Sequence, residues 1–179
     1  MATLSGGDKL EKVLAKIGSN AKGGLSVGFL SGATYTESGT PVAQVAFWNE
    51  FGHGGRFPAP PRPFFRNMIS SESGAWPVRL AKALKYYDYN AKAALGAMGE
   101  NIKDALQESI MTFSGAELSE TTKILRSKFG NNPQEITLKD VLAAQQDAAS
   151  GEKGASGTQA KPLIWTGHMK DSVDYEVKE

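Results

Sequence analysis

The chain has 179 residues, of which 40% are hydrophobic and 22% charged, so it can build a substantial core and falls in the range of globular proteins. It has no cysteine and two histidines, which excludes a disulfide framework, a thiolate nucleophile and any zinc or iron–sulfur site built on cysteine. With 20 basic and 19 acidic residues the formal net charge is +1, so no overall field attracts the chain to DNA or to an anionic membrane.

The N-terminal region carries no signal-peptide pattern, because residues 1–12 lack a continuous apolar stretch. No later stretch has the length needed to cross a bilayer. We therefore expect synthesis and folding in a cytoplasm.

The spacing of Asp8 and Glu11 matches a capping box and predicts an amphipathic helix that ends at Gly18, with its apolar face formed by Leu10, Val13, Leu14 and Ile17.

Alternation of apolar and small residues predicts a half-buried strand from Gly24 to Leu30. A loop rich in Gly, Thr and Ser follows over 31–39. Pro41 then begins a helix, which Gly52 can end in a left-handed cap. The face of this helix that we expect to be buried carries Val42, Val45, Ala46 and Asn49.

Helical spacing resumes after a proline-rich crossing over 52–63. It predicts a helix from Phe64 to Ile69 and a long helical tract from Trp76 to Phe113, with a break indicated near 88–90. An apolar stripe from Ala91 to Ile110 makes this tract the longest packing surface in the molecule.

The C-terminal third is predicted to hold two further helices, Ser119–Phe129 and Thr137–Ala148. The segment 151–161, rich in Gly, Ser and Lys, indicates a flexible link. Thr166 can cap a single turn, and alternation over Val173–Val177 predicts a closing strand.

These elements predict an α+β fold in a single domain spanning residues 1–179. A small antiparallel sheet, including 24–30 and 173–177, packs on the long helix of 76–113, with additional short helices and a flexible insertion.

Enzyme motifs are weak in this chain. Gly24–Gly28 matches the G-x-S-x-G pattern of a hydrolase nucleophile, and Gly52–Gly55 resembles an oxyanion-hole loop. Such a nucleophile needs a strand before it and a helix after it, whereas Ser26 lies among strand-like residues. His53 and His168 are far apart in the sequence and have no evident third ligand. A serine hydrolase or a metal-dependent enzyme that uses Ser26 or His53 is therefore the minor alternative, and we expect no cofactor and no metal.

The segment Phe57–Arg66 concentrates the unusual residues of the chain, because it alternates prolines with aromatic residues and two arginines. Prolines reduce the entropy lost on docking, while aromatic residues and arginine make strong contacts with partners. One interpretation is a preformed contact surface. The other is that the aromatic residues belong to the protein's own core and the arginines brace the loop, for example against Glu50. Both interpretations stay open.

Three separated segments carry a resemblance to a known family. Leu25–Phe29 followed by VAQVAFWNEFG (42–52), PAPPRPFFR (58–66) and KPLIWTGHMKDSV (161–173) occur in this order. Together they resemble the tail-completion or head-tail joining (neck) proteins of tailed bacteriophages, which include the phage virion morphogenesis proteins. A weaker similarity covers 118–122 with Arg126. The chain departs from the family in the added Pro60, in Met169 where leucine is common, and in an apparent insertion over 130–157.

This resemblance implies a structural, non-enzymatic virion protein at the neck or tail of the particle. We expect a ring of identical subunits, hexameric like a tail tube. The implied partners are tail terminator or tail tube proteins, head-closure or connector proteins, and DNA in the channel, with no membrane. A tail terminator or a minor tail protein is the alternative within this class. The residues expected to interact or to brace the loop are Asn49, Glu50, Phe51, Gly52, Pro58, Arg62, Pro63, Phe64, Arg66, Thr166 and Gly167.

Overall fold

The structure is a computed structural model that describes residues 11, 12, 14, 15, 18, 23–55, 58–130 and 132–178. Most of the helix predicted over 8–18 lies outside these residues. Its described positions are helical, including Gly18, where we predicted its end, and Leu14 is largely exposed. The described elements are β1 (Gly24–Phe29), α1 (Val42–Phe51), α2 (Phe64–Glu72), α3 (Trp76–Tyr86), α4 (Ala91–Thr112), α5 (Glu120–Phe129), α6 (Leu138–Ala149), α7 (His168–Asp171) and β2 (Val173–Lys178), with 3-10 turns at Ser73–Ala75, Pro133–Glu135 and Gly157–Ala160.

The predicted α+β fold is confirmed. β1 and β2 form a two-stranded antiparallel sheet in which Gly24 lies opposite Lys178 and Phe29 opposite Val173. Both strands contact α4, so the sheet lies on the long helix. Close contact is possible because Gly99 of α4 has no side chain: a Cβ there would lie 2.2 Å from the ring of Tyr175.

The long helical tract is two helices, as the break predicted near 88–90 indicated. Asp88 and Tyr89 adopt positive φ angles of 50° and 60°, which end α3 in a turn. Asn90 then caps α4, because its side chain accepts a hydrogen bond from the N–H of Ala93 at 3.1 Å. The sheet therefore packs on α4 rather than on one helix that runs from Trp76.

Two clusters of buried apolar side chains form the core. The larger joins α1, α2 and α4 to the C-terminal segment, and the smaller lies between α5 and α6. The larger cluster contains Val42, Ala46, Phe64, Met68, Leu106, Ile110, Leu163, Met169 and Val173, and the smaller contains Ile124, Leu125 and Ala144.

The apparent insertion over 130–157 is folded against α5, which corrects the prediction of a flexible link over 151–161. Helix α6 packs on α5 through the smaller cluster. The N–H of Ala155 donates to the carbonyl of Lys123 at 2.9 Å. A Cβ at Gly154 would lie 2.1 Å from the backbone nitrogen of Ile124, so glycine is needed for this approach. Composition alone does not reveal such a backbone contact between distant segments.

Candidate functional site

Glu50 fastens the end of α1 to the start of α2. Its carboxylate is buried, with 5% of the residue exposed, and accepts hydrogen bonds from the backbone N–H groups of Phe65 at 2.9 Å and Arg66 at 3.2 Å. It also pairs with Nε of Arg66 at 2.7 Å. A carboxylate at the N-terminus of a helix satisfies free N–H groups and complements the helix dipole. The interpretation that Glu50 and an arginine brace the loop is therefore confirmed for Arg66.

Gly52 turns the chain from α1 into the proline-rich segment. Its φ of 74° is positive, as predicted, but its ψ of 173° is extended rather than left-handed helical, so the predicted left-handed cap is wrong. A Cβ at this position would lie 2.7 Å from the carbonyl oxygen of Ala59. After Gly52 the chain reverses its direction, and His53 and Ala59 form an antiparallel bridge with backbone hydrogen bonds of 3.1 and 2.9 Å.

Arg62 lies at the end of this segment and is held by its backbone. Its N–H donates to the carbonyl of Asn49 at 2.7 Å. To the residues that the structure describes, the side chain makes one long hydrogen bond, of 3.4 Å to Oδ1 of Asn49, and its buried Nε has no partner among them. The residue is 7% exposed, and this burial lowers the pKa of Arg62 below its ordinary value.

Arg126 approaches from α5 and is also buried, with 5% of the residue exposed. Its two Nη groups donate to four backbone carbonyls at 2.5 to 3.3 Å, and its guanidinium lies 5.1 Å from the ring centroid of Trp165. Burial and then the positive charge of Arg62 lower the pKa of Arg126 to about 10, so it remains charged at neutral pH. The four carbonyls belong to Gln159, Lys161, Pro162 and Ile164.

Both arginines line one cavity of about 470 Å³, which we call the arginine cavity. Among the described residues, no Asp or Glu lines it, and none forms an ion pair with Arg62 or Arg126. The other lining groups are mainly hydroxyls, imidazoles, indoles and apolar side chains. They include Tyr35, Ser38, Thr40, Trp48, Asn49, His53, Thr122, Leu163, Trp165, Thr166, His168 and Met169.

The cavity brings together residues that sequence reasoning had left apart. His53 and His168 both line it, although they lie 115 residues apart in the chain. His168 Nε2 lies 3.1 Å from the carbonyl oxygen of Thr34 and His53 Nδ1 lies 3.3 Å from that of Gly54. Within the ranges that the structure describes, there is no group of three or more His, Asp or Glu side chains that could hold a metal ion.

The remaining predicted site residues lie before α7, at the start of α2 or at the surface. Thr166 and Gly167 lead into α7, where Thr166 Oγ1 accepts a hydrogen bond from the N–H of His168 at 3.3 Å and Gly167 has a φ of 82°. Pro63 directly precedes α2, and Phe64 is fully buried in the larger cluster. The structure therefore assigns Phe64 to the core rather than to a contact surface. Pro58 is exposed.

A second feature of this region is an exposed pair of aromatic side chains on α1. Phe47 is 58% exposed and Phe51 is 49% exposed, and their ring centroids lie 4.7 Å apart. The guanidinium of Arg66 lies 4.8 Å from the centroid of the Phe51 ring. We call Phe47, Phe51 and Arg66 the aromatic patch.

Ser26 lies within β1 opposite Glu176. The strand continues to Phe29, so Ser26 is not at a strand-to-helix turn of the kind that exposes a hydrolase nucleophile. The described lining of the arginine cavity includes both histidines but not Ser26.

Comparison with known proteins gives no match: no protein-family model, no curated protein and no solved structure matches the chain. In the described part of the chain, none of the helices combines the length and the apolar character needed to span a bilayer.

Proposed function

We propose that this chain is a structural virion protein of a tailed bacteriophage, a tail-completion or neck protein that joins the tail to the head connector. The observation that carries the proposal is the convergence of the segments that resemble this family. Asn49, Arg62 and Thr166 come from the three different segments, and all three line the arginine cavity. Because the three segments that carry the resemblance meet at one site, we take this site to be the feature that the resemblance describes and infer that it serves assembly.

The aromatic patch supports a role in contact with other proteins. Large aromatic side chains and arginine contribute most strongly to protein interfaces. Burying the exposed parts of two Phe rings would contribute roughly 25 cal/mol for each Å² removed from water. The patch is anchored to the fold, because Glu50 joins α1 to α2 and pairs with Arg66 of the patch. Identical subunits in a ring, tail tube proteins and connector proteins are the partners that we propose.

The proposal can be tested by deleting the gene in the phage that encodes it and supplying variants in trans. Without the protein, we expect filled heads and finished tails to accumulate separately, as seen by electron microscopy. The variant carrying both Phe47→Ser and Phe51→Ser should fail to restore joined particles although the purified variant keeps the far-UV circular dichroism spectrum of the folded wild-type protein. Tyr86→Ser is the matched control, since Tyr86 is an exposed aromatic residue of α3.

Two results would contradict the proposal. One is the formation of joined, infectious particles at the normal yield without the protein. The other is the absence of the protein from purified particles that do form in its presence.

A further inference from the structure

We propose that the arginine cavity binds a carboxylate group carried by a polypeptide partner. The inference rests on the proposed function only in taking that partner to be a neighbour in the assembled particle. The ligand chemistry comes from the two buried guanidinium groups and can be tested on the isolated protein.

The described lining of the cavity holds two positive charges and no negative one. Removing an ion from water costs several kcal/mol unless an opposite charge or a full set of hydrogen bonds replaces the water. Arg66 provides an internal comparison: its side chain is 56% exposed and nevertheless pairs with Glu50. Arg62 and Arg126 are far more buried, yet no carboxylate of the described residues lies within 4.0 Å of either. An anion from outside the chain would supply the missing charge.

Unused hydrogen-bond donors point to the same ligand. Nε of Arg62 and Nε of Arg126 have no hydrogen-bond partner among the described residues, but both atoms are buried out of reach of the cavity, so the donors available to a ligand are Nη groups. The Nη groups of Arg126 are engaged by carbonyls, whereas Arg62 makes one side-chain hydrogen bond, long at 3.4 Å, to the described residues. Arg62 is therefore the group with most capacity to bind. Hydroxyl groups of Thr122 and Thr166 line the same space and could donate to the ligand as well.

The shape of the site favours an amino-acid side chain over a nucleic acid. Since Arg62 and Arg126 are only 7% and 5% exposed, the anion must enter a cavity of about 470 Å³. The phosphates of a DNA duplex lie on a broad, rigid surface and cannot do so. An Asp or Glu side chain is slender enough, and a carboxylate is planar and matches the donor geometry of a guanidinium. Trp48, Trp165 and Leu163 offer apolar contacts to the rest of such a peptide.

Binding can be measured with two acetylated, amidated tripeptides, Gly-Glu-Gly and Gly-Gln-Gly, and with inorganic phosphate, all at constant ionic strength. Trp48 and Trp165 line the cavity, so tryptophan fluorescence reports occupancy. We expect the Glu peptide to give a saturable change and the Gln peptide to give none. Arg62→Met should weaken binding of the Glu peptide by about tenfold or more, because charge-assisted hydrogen bonds are lost. Arg79→Met is the control, since Arg79 forms an exposed pair with Glu72, and it should bind like wild type.

The same variants separate binding from a structural role. Without ligand, Arg62→Met should melt at the wild-type temperature or above it, because it removes an unpaired buried charge while the backbone hydrogen bond to Asn49 remains. A clear drop in melting temperature would mean that Arg62 serves as an internal brace and would overturn the proposal.

Other binding results would also overturn the proposal. They are the absence of saturation by the Glu peptide, equal binding of the Gln peptide, or unchanged affinity in Arg62→Met. Saturation by phosphate but not by the Glu peptide would identify an inorganic anion and reject the polypeptide source. Because these measurements use the purified protein, their outcome is independent of whether phage particles assemble without it.

Discussion

Replacement of Glu50 tests whether one buried carboxylate holds the base of the site together. In Glu50→Ala the backbone N–H groups of Phe65 and Arg66 lose their acceptor at the N-terminus of α2. Loss of a helix cap typically costs about 1 kcal/mol, and leaving a buried donor unsatisfied costs about 1–3 kcal/mol. The ion pair with half-exposed Arg66 contributes less than about 1 kcal/mol. Together, the lost cap, the unsatisfied donor and the lost ion pair should lower the free energy of unfolding by about 3 kcal/mol.

Urea unfolding followed by circular dichroism measures this loss, and thermal unfolding should show a decrease of about 6–12 °C for a chain of this size. Glu50→Gln keeps an acceptor oxygen but loses the charge, so it should lie between wild type and Glu50→Ala. Glu72→Ala is the matched control, since Glu72 pairs with Arg79 at the surface at 2.6 Å and its loss should change stability by less than about 0.5 kcal/mol. If Glu50→Ala were no less stable than Glu72→Ala, the reasoning about the buried carboxylate would be refuted.

Two glycines give further predictions. Gly52→Ala should destabilise the protein by about 3 kcal/mol in urea unfolding, because its positive φ is strained for alanine and its Cβ would lie 2.7 Å from a carbonyl oxygen; a loss under about 1 kcal/mol would contradict this. Gly99→Ala should lower the melting temperature by forcing the ring of Tyr175 away from α4, where a Cβ would lie 2.2 Å from it. Gly96→Ala, whose Cβ would lie 4.0 Å from the hydroxyl of the same tyrosine, should leave the melting temperature unchanged or raise it, and equal losses in both variants would disprove the role of close packing.

The elements themselves were largely predictable because their signals are local. Alternation in 24–30 and 173–177 predicts strands, and the structure has β1 and β2 there. Burial alternates along β2 but not along β1, where Gly28 is the buried residue. The break between α3 and α4 was also indicated in the sequence, where the chain adopts positive φ at Asp88 and Tyr89. The bracing role of Glu50 was one of the two interpretations open from the sequence, because Arg62 and Arg66 both follow this carboxylate within 17 residues, from 50 to 66.

The arginine cavity was not predictable because it depends on distant contacts. Its wall joins α1 and the proline-rich segment to Thr122 and Arg126 of α5 and to residues 162–169. A partial signal was present: Arg126 follows Ile124 and Leu125 in the part of α5 that is buried, and a charged residue at such a position needs partners. Local sequence could not show that the partners are backbone carbonyls of residues 159–164, in and just beyond a segment whose composition indicated flexibility.

The two buried arginines differ in what they do for the folded chain, and this difference argues that one of them is available for binding. Arg126 holds four carbonyls, so removing it would leave several acceptors unsatisfied and its burial has a structural reason. Arg62 has no comparable set of partners within the described ranges, and its charge raises the cost of the charge on Arg126. A buried charge of this kind can often be replaced by an apolar side chain without loss of stability. Groups that reduce stability in the free protein are characteristic of binding sites, so we expect Arg62 to act when a ligand is bound.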